Sequence, residues 1–488
     1  MKSPIFQNCP FVEFRESLEK PDRIDLIREG LIGEGVEIQG LDGPKPLVYA
    51  DYVASGRALT MIEDFVRESV LPYYSNSHTD ASFCGAYITE LRTRAREIIR
   101  SACGATIGYS VVFTGSGATS GLNRLVHLFG VHKAVAQGKI PLVLLGPYEH
   151  HSNILPWRES GAEVIELEEC NAGGPDLVQL EGILRNTHGR LVIGAFNAAS
   201  NVTGIVTNTT EVTRLLKHYD AKVVWDFAGA GPYLPINAVI DESCKMDALV
   251  ISAHKFIGGP GASGVLLVRP TAVEASIPTV PGGGTVKFVS PWNHDYSDCL
   301  VSKEEAGTPN VIGDIRAALA FIVKDVIGDK YHAQRLEAHY ESAIDTWGRV
   351  SEIEILGNPG AKHRLPIFSL RIRNPNQNDY VHQQLFTRML SDVYGIQARG
   401  GCACAGPYAH RMLGITRERS DEIRAAIKRG DEIQKPGWTR LNISVLMTDA
   451  KARYIVDSVA ELAKHSERYM KFYRCDETNA RFQLRDVA

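Results

Sequence analysis

The chain has 488 residues, is 44% hydrophobic and carries a formal net charge of −4. That length and apolar content can bury a large core and suggest two to three domains. The near-neutral balance, without a long basic run, gives no sign of nucleic-acid binding. No stretch of 18 apolar residues occurs, so no membrane span is expected. The N-terminal Met1–Pro10 lacks the apolar run of a secretory signal. Nine cysteines, an odd number scattered over a long chain, do not form a disulfide framework. These features read as a soluble metabolic enzyme of a reducing cytoplasm.

Residues 1–46 read as an N-terminal arm, partly helical within Phe11–Glu29, of a kind that packs on a small domain. Residues 47–320 alternate apolar strands with helical stretches such as Ile62–Val70 and Glu90–Ala102. This pattern predicts an α/β domain with a mostly parallel sheet and helices on both faces. A periodic helix around Asp314–Ile327 begins the crossing to a smaller C-terminal α+β domain, residues 321–488. That domain is expected to hold helices at Ala333–Val350 and Ala450–His465 and strands at Leu365–Ile372 and Thr439–Val445. Arg417–Pro436 is a charged insertion, read as a solvated helix or loop. There is no internal repeat and no low-complexity tract.

The most informative stretch is Asp247–Gly261. Its apolar run delivers Ser252, His254 and Lys255 to a glycine-rich turn. A lysine partly buried there has a lowered pKa, and a neutral amine is the form that condenses with an aldehyde. Ser252 and His254 beside it could hold a phosphate. An aldehyde and a phosphate on one ligand describe pyridoxal 5'-phosphate. The alternative is a surface lysine just past a strand end. Upstream, Ala221–Gly231 again reads as a strand ending in one acid, Asp226, where α/β sheets place their ligands. A carboxylate there can keep a pyridine nitrogen protonated; a helix N-cap or a metal ligand is the alternative. Val111–Asn123 reads as a strand, a flexible turn and a helix start. Free N–H groups with the Thr119 hydroxyl suit a phosphate dianion, although an ordinary βα turn uses the same residues.

With these segments in view, the chain resembles the class V, fold-type I pyridoxal-phosphate enzymes, and among them the cysteine desulfurases of the selenocysteine-lyase type, from about Leu47 to about Leu462. Gly117-Ala118-Thr119 resembles the phosphate turn. Glu149–Trp157 resembles the segment whose first histidine, here His150, stacks on the cofactor ring. Ser200–Gly204 resembles the segment whose asparagine, here Asn201, contacts the ring hydroxyl. Ser252–Lys255 resembles the Schiff-base segment. Gly282–Thr285 and Glu305–Asn310 resemble a glycine-rich loop and a motif near the dimer interface. The resemblance implies that Thr285 reaches the partner subunit's phosphate across a homodimer. One departure stands out: the family's glutamine three residues after the aspartate is Gly229 here.

The remaining chemistry lies in Gln397–Tyr408. Cys402 and Cys404 sit in a glycine-rich stretch that gives mobility and little cover. Arg399, Cys404, Ala405 and Pro407 match the spacing around the family's persulfide-forming cysteine, with Cys402 where the family often has histidine. Metal binding, a redox disulfide or inert thiols are alternatives for the pair; no partner pair of ligands is evident, so no metal is expected. Arg440 matches the family's clamp on the substrate carboxylate, with Arg399 as a second substrate-binding candidate; a surface arginine on a strand is the alternative. The resemblance therefore implies a desulfurase in which Lys255, Cys404 and His150 are catalytic. L-cysteine would yield alanine and a persulfide for a protein acceptor. A class V aminotransferase, lyase or epimerase acting on another amino acid is the alternative, and a cofactor-free scaffold is a third class.

Overall fold

The computed structural model describes residues 9–76, 80–374, 379–476 and 478–485. The first eight residues of the N-terminal arm and the last three of the chain therefore lie outside the described residues. Its largest element is a seven-stranded sheet. In chain order the strands are β1 (Ser110–Thr114), β2 (Leu142–Leu145), β3 (Glu163–Glu166), β4 (Val192–Asn197), β5 (Lys222–Asp226), β6 (Ala248–Ser252) and β7 (Gly264–Val268). They lie side by side in the order β1-β7-β6-β5-β4-β2-β3. Pairing is parallel from β3 to β6, and β7 runs antiparallel to both its neighbours. β2, β4, β6 and β7 are buried along their whole length, as continuous apolar strands covered by helices on both faces require. Strand ends, not strand middles, are thus the places where this sheet presents side chains to a ligand.

Two long helices carry much of one face. Phe83–Ala102 starts at Ser82, whose hydroxyl accepts from the Gly85 N–H. Val311–Ile327 starts at Asn310, whose side chain accepts from the Gly313 N–H. The second helix is buried nearly all round, so it is an axis of the core and not an amphipathic surface helix. Glu305, in the motif just before it, accepts from Arg92, Arg96 and the Phe113 N–H, and so ties β1 to these helices.

The arm meets both parts of the chain. Helices Pro10–Leu18 and Arg23–Glu29 bury Phe11, Phe14, Leu18 and Ile27 in the core of the large sheet, while the strands Glu37–Gly40 and Gly43–Pro46 pack on helix Gln383–Tyr394 of the C-terminal part, where the Leu41 N–H donates to the Asp392 carbonyl. Phe11 and Phe14 pack on Phe65 at 5.5 and 5.6 Å between ring centroids, and Arg23 donates to the Val326 carbonyl. The periodic stretch Ile62–Val70 is a short helix, Thr60–Phe65, followed by a π-helical turn, Val66–Val70.

The C-terminal part is built on a second sheet: β8 (Ile353–Ile355), β9 (Ile367–Arg373), β10 (Tyr380–Val381), β11 (Arg399–Gly401) and β12 (Trp438–Asn442), in the order β8-β9-β12-β11 with β10 beside β9. Helices Asp329–Trp347, Gln383–Tyr394 and Asp449–Lys464 cover it. Its separate core includes Trp347, Phe368, Phe386 and Leu441, and also Val48, Ala50 and Tyr52 from early in the chain. Val48 and Tyr49 pair in parallel with Ile396 and Gln397, and the Asn442 N–H donates to the Ala50 carbonyl. The charged insertion is a helix, Arg417–Lys428, and a short turn, Glu432–Gln434. Among the described residues no helix is long and apolar enough to cross a membrane.

Candidate active site

Asp226 ends β5, and the next strand over, β6, ends in the turn that carries Lys255. In register Asp226 lies opposite Val250, so the acid and the lysine leave the same edge of the sheet. Burial pushes the Lys255 amine down to about 8, against an opposing pull from Asp226; Arg440 and Arg399 push the same way as burial. A good share of the amine is therefore neutral near pH 8, the form an aldehyde needs. Asp226 is 2% exposed and accepts from the Ala228 N–H at 2.7 Å. Burial raises its pKa, while that N–H and Lys255 lower it; a cationic ring nitrogen set against it would pull it further down.

His150 follows β2. Its Nδ1 accepts from the Ser152 N–H at 3.1 Å, which leaves the ring proton on Nε2. Burial, then Lys255, keep the imidazole neutral, with a pKa near 3. The segment is locked by residues spaced four apart. Glu149 accepts from Asn153 and from the Asn197 N–H of β4, and Asn153 in turn accepts from the Trp157 indole. Burial holds Glu149 up at about 8. The lock leaves His150, His151 and Ser152 as the groups presented outward.

Side chains from neighbouring elements converge where β1 turns into helix Gly117–Leu128. The Ser252 hydroxyl accepts from the Ala118 N–H at 3.0 Å, and Thr119 shares a 2.7 Å hydrogen bond with Ser152. Gly117 sits at φ +58°, and a Cβ there would lie 2.7 Å from Ser252 Oγ and 2.9 Å from His254 Cε1. The structure thus brings together Ala118, Thr119, Ser252 and His254 around a position that must stay free of side chain. His254 is held neutral by burial, at about 4. Helix N–H groups and hydroxyls of this kind suit a phosphate.

Arg440 and Arg399 come together through a residue the sequence did not single out. One oxygen of Asp51 accepts from Arg440 at 3.1 Å and the other from Arg399 Nε at 2.9 Å. Arg440 is 4% exposed, not a surface arginine; it also donates to the Asn201 carbonyl, and its Nε is buried without a partner among the described residues. The signal for Asp51 was present: a lone acid closing the apolar run Leu47–Ala50, the same pattern that flagged Asp226.

The cysteine stretch crosses this region as a tight loop. Ala403 and Cys404 both have left-handed backbones, φ +53° and +55°, which are strained for residues with a Cβ. Asn201 Nδ2 donates to the Ala403 carbonyl at 2.8 Å, the His151 N–H donates to the Cys404 carbonyl at 2.8 Å, and the Gly406 N–H donates to His151 Nε2 at 2.9 Å. Cys404 is exposed and Cys402 half-buried. Beyond the loop, helix Gly406–Met412 seats Tyr408 against Tyr148, with ring centroids 5.1 Å apart.

The family model for class-V aminotransferases matches residues 48–430, which spans the sheet edge, Asp51, Arg399 and the cysteine loop, with Arg440 just beyond it. The chain belongs to that family. As a class-V family member it is an enzyme of a pyridoxal-phosphate-dependent class. It is 27% identical over 367 residues to a probable cysteine desulfurase of Halalkalibacterium halodurans, covering 74% of this chain and 85% of that one. It is 26% identical over 385 residues to a cysteine desulfurase of Escherichia coli, covering 79% and 89%. Its fold matches the cysteine desulfurase of Thermococcus onnurineus with a TM-score of 0.69 at 23% identity, covering 86% of this chain and 95% of that one.

The residues of this class-V member fit pyridoxal phosphate at three points: a largely buried lysine of lowered pKa, a buried acid at the neighbouring strand end, and an anion cradle that a Cβ would fill. Asn201 Oδ1 is buried without a partner among the described residues, so the site also holds an unanswered polar atom. The fourth point differs. Gly229 offers no side chain, and its Cα faces Asn201, where an added Cβ would lie 3.7 Å from the Asn201 Cβ. One Asn201 amide N–H is spent on the cysteine loop, which leaves its second N–H as the side-chain donor on this side of the site. Thr285 is fully buried, and its hydroxyl donates to the Gly282 carbonyl at 2.6 Å within its own loop.

Proposed function

We propose that the chain is a pyridoxal-phosphate-dependent cysteine desulfurase, working as a cytoplasmic homodimer that passes sulfur to a protein acceptor. The single observation that carries this reading is that an exposed cysteine, Cys404, hangs on a loop bonded to the same Asn201 and His151 that flank the lysine pocket. The desulfurase relatives support it. Bound pyridoxal phosphate would supply an electron sink for the substrate's Cα. Lys255 would anchor it, Asp226 would face the ring nitrogen, His150 would cover the ring, and Ala118, Thr119, Ser252 and His254 would hold the phosphate. Thr285 would reach the partner subunit's site.

The chain's own groups then have defined tasks. Arg440, steadied by Asp51, takes the carboxylate of L-cysteine, with Arg399 at the rim. Lys255, neutral once released, removes the Cα proton. The Cys404 thiolate attacks the substrate's sulfur. The Cβ–S bond breaks with its electron pair left on carbon, Cβ takes up a proton to become a methyl group, and Lys255 returns the proton to Cα, which completes alanine. The sulfur stays on Cys404 as a persulfide.

The test is to incubate the holoenzyme with L-cysteine, quantify alanine, and locate added sulfur by peptide mass spectrometry. Cys404→Ser should release alanine below about a hundredth of the wild-type rate, while Cys402→Ser keeps most of it. Sulfur found on Cys402 would shift the nucleophile by two residues. A second reading, action on another amino acid as an aminotransferase, lyase or epimerase, draws on Gly229, where the expected glutamine is missing. Normal activity of both serine variants on such a substrate would replace the first reading with the second.

A further inference from the structure

His151 is the second histidine of its segment, and the chemistry above does not use it. Both its backbone N–H and its ring reach the cysteine loop. Its backbone N–H donates to the Cys404 carbonyl, and its Nε2 accepts from the Gly406 N–H, so it holds the chain on both sides of Ala405. Ala405 is fully buried, in a cluster with Tyr148, Tyr408 and Trp438. On the near side, Asn201 pins the Ala403 carbonyl. Between these bonds lie two consecutive residues with left-handed backbones. Such strain persists only where surrounding bonds impose it. A loop of alanines and glycine released from its bonds would relax into a broad ensemble, and its thiol would lose a fixed position.

The segment that offers His151 is itself rigid. Glu149, Asn153 and Trp157 form a buried chain of hydrogen bonds around it, and Ser152 is tied to His150 and Thr119. The loop is therefore fastened to the same rigid segment that carries His150. Accepting a backbone N–H also fixes the His151 ring in one tautomer, and burial favours its neutral form.

We propose that His151 is a positioning residue for Cys404: its ring nitrogen, by accepting the Gly406 N–H, holds the strained loop in the conformation that aims the thiol at the substrate. This rests on Cys404 being the sulfur acceptor.

The experiment compares wild type with His151→Ala and His151→Gln; the glutamine side chain can place an oxygen near the position of Nε2. Alkylation by iodoacetamide is followed peptide by peptide in the protein as purified, with exposed Cys299 as internal control. In His151→Ala, labelling of half-buried Cys402 should rise about tenfold while alanine release from L-cysteine falls about tenfold at unchanged KM, the equivalent of one hydrogen bond. Cys299 labelling and the absorbance of bound cofactor should not change, and His151→Gln should restore both readouts. Wild-type labelling and turnover in His151→Ala would overturn the proposal. So would lost cofactor absorbance without rescue by glutamine, which would place His151 at the ring. If wild type and Cys404→Ser release alanine equally, the desulfurase reading fails, whereas the labelling change in His151→Ala would still show that the ring holds the loop.

Discussion

The lysine pocket and the cysteine loop lie side by side but are made in opposite ways. Lys255 and Asp226 leave neighbouring strands of a buried sheet, and their positions follow from main-chain ladders and packed apolar side chains. Cys404 sits exposed on a short loop, strained at two residues and held by one hydrogen bond to Asn201 and two to His151. The difference suits the two tasks. A group whose pKa must be shifted needs burial, which only a rigid core maintains. A thiol that must meet a substrate and then an acceptor needs access, and access removes the packing that would otherwise fix it.

The sharpest way to break the comparison is to remove one side and watch the other. Lys255→Ala should lower turnover by more than about a thousandfold. It should leave thermal stability and the alkylation rate of Cys404 as they are, because no hydrogen bond of the loop involves Lys255. A parallel change in Cys404 reactivity would show that the two regions are one unit. Asp51→Asn tests the arginine pair beside both regions, since Asp51 binds Arg399 and Arg440 of the neighbouring strands β11 and β12. Weakening two charge-assisted bonds should reduce kcat/KM about thirtyfold, mostly through KM for the amino acid. Unchanged kinetics with a carboxylate-bearing substrate would remove Arg440 from the clamp. The smallest effect concerns pH. With a pKa of about 8, Lys255 gains neutral amine as pH rises, so borohydride trapping of an aldehyde on the cofactor-free protein should increase about tenfold from pH 7 to pH 9 and then level off. An ordinary lysine would keep gaining through pH 10, and that profile would contradict the assigned burial.

Much of the buried side was legible in the sequence because its cause is local. Apolar runs closed by a single acid or lysine announce strand ends, and strand ends are where parallel sheets present ligand groups. The same rule should have flagged Asp51, but its two partners lie some 350 to 390 residues away and no local spacing reveals them. The loop was legible only as composition: glycines and two cysteines. Its fastening by His151 and Asn201 depends on tertiary contacts spanning about 200 to 255 residues, and the left-handed backbone at Ala403 and Cys404 runs against the local preference of alanine and cysteine. The arm's amphipathic pattern likewise shows that Phe11 and Phe14 are buried, but not which core receives them.

The pairing of Val48–Tyr49 with Ile396–Gln397, and of Ala50 with Asn442, also bears on how the protein is born. A ribosome delivers residues in order, and domains generally fold as they emerge. The seven-stranded sheet can close once β7 has left the exit tunnel, with Lys255 and Asp226 already in place. Asp51, though made early, must wait for β11 and β12 before it meets Arg399 and Arg440. From the time Val268 has emerged until Trp438 is made, the nascent chain carries a formed lysine pocket with no amino-acid clamp above it, so an early stop before Trp438 would leave a fragment able to take up an aldehyde but unable to grip the carboxylate of its substrate.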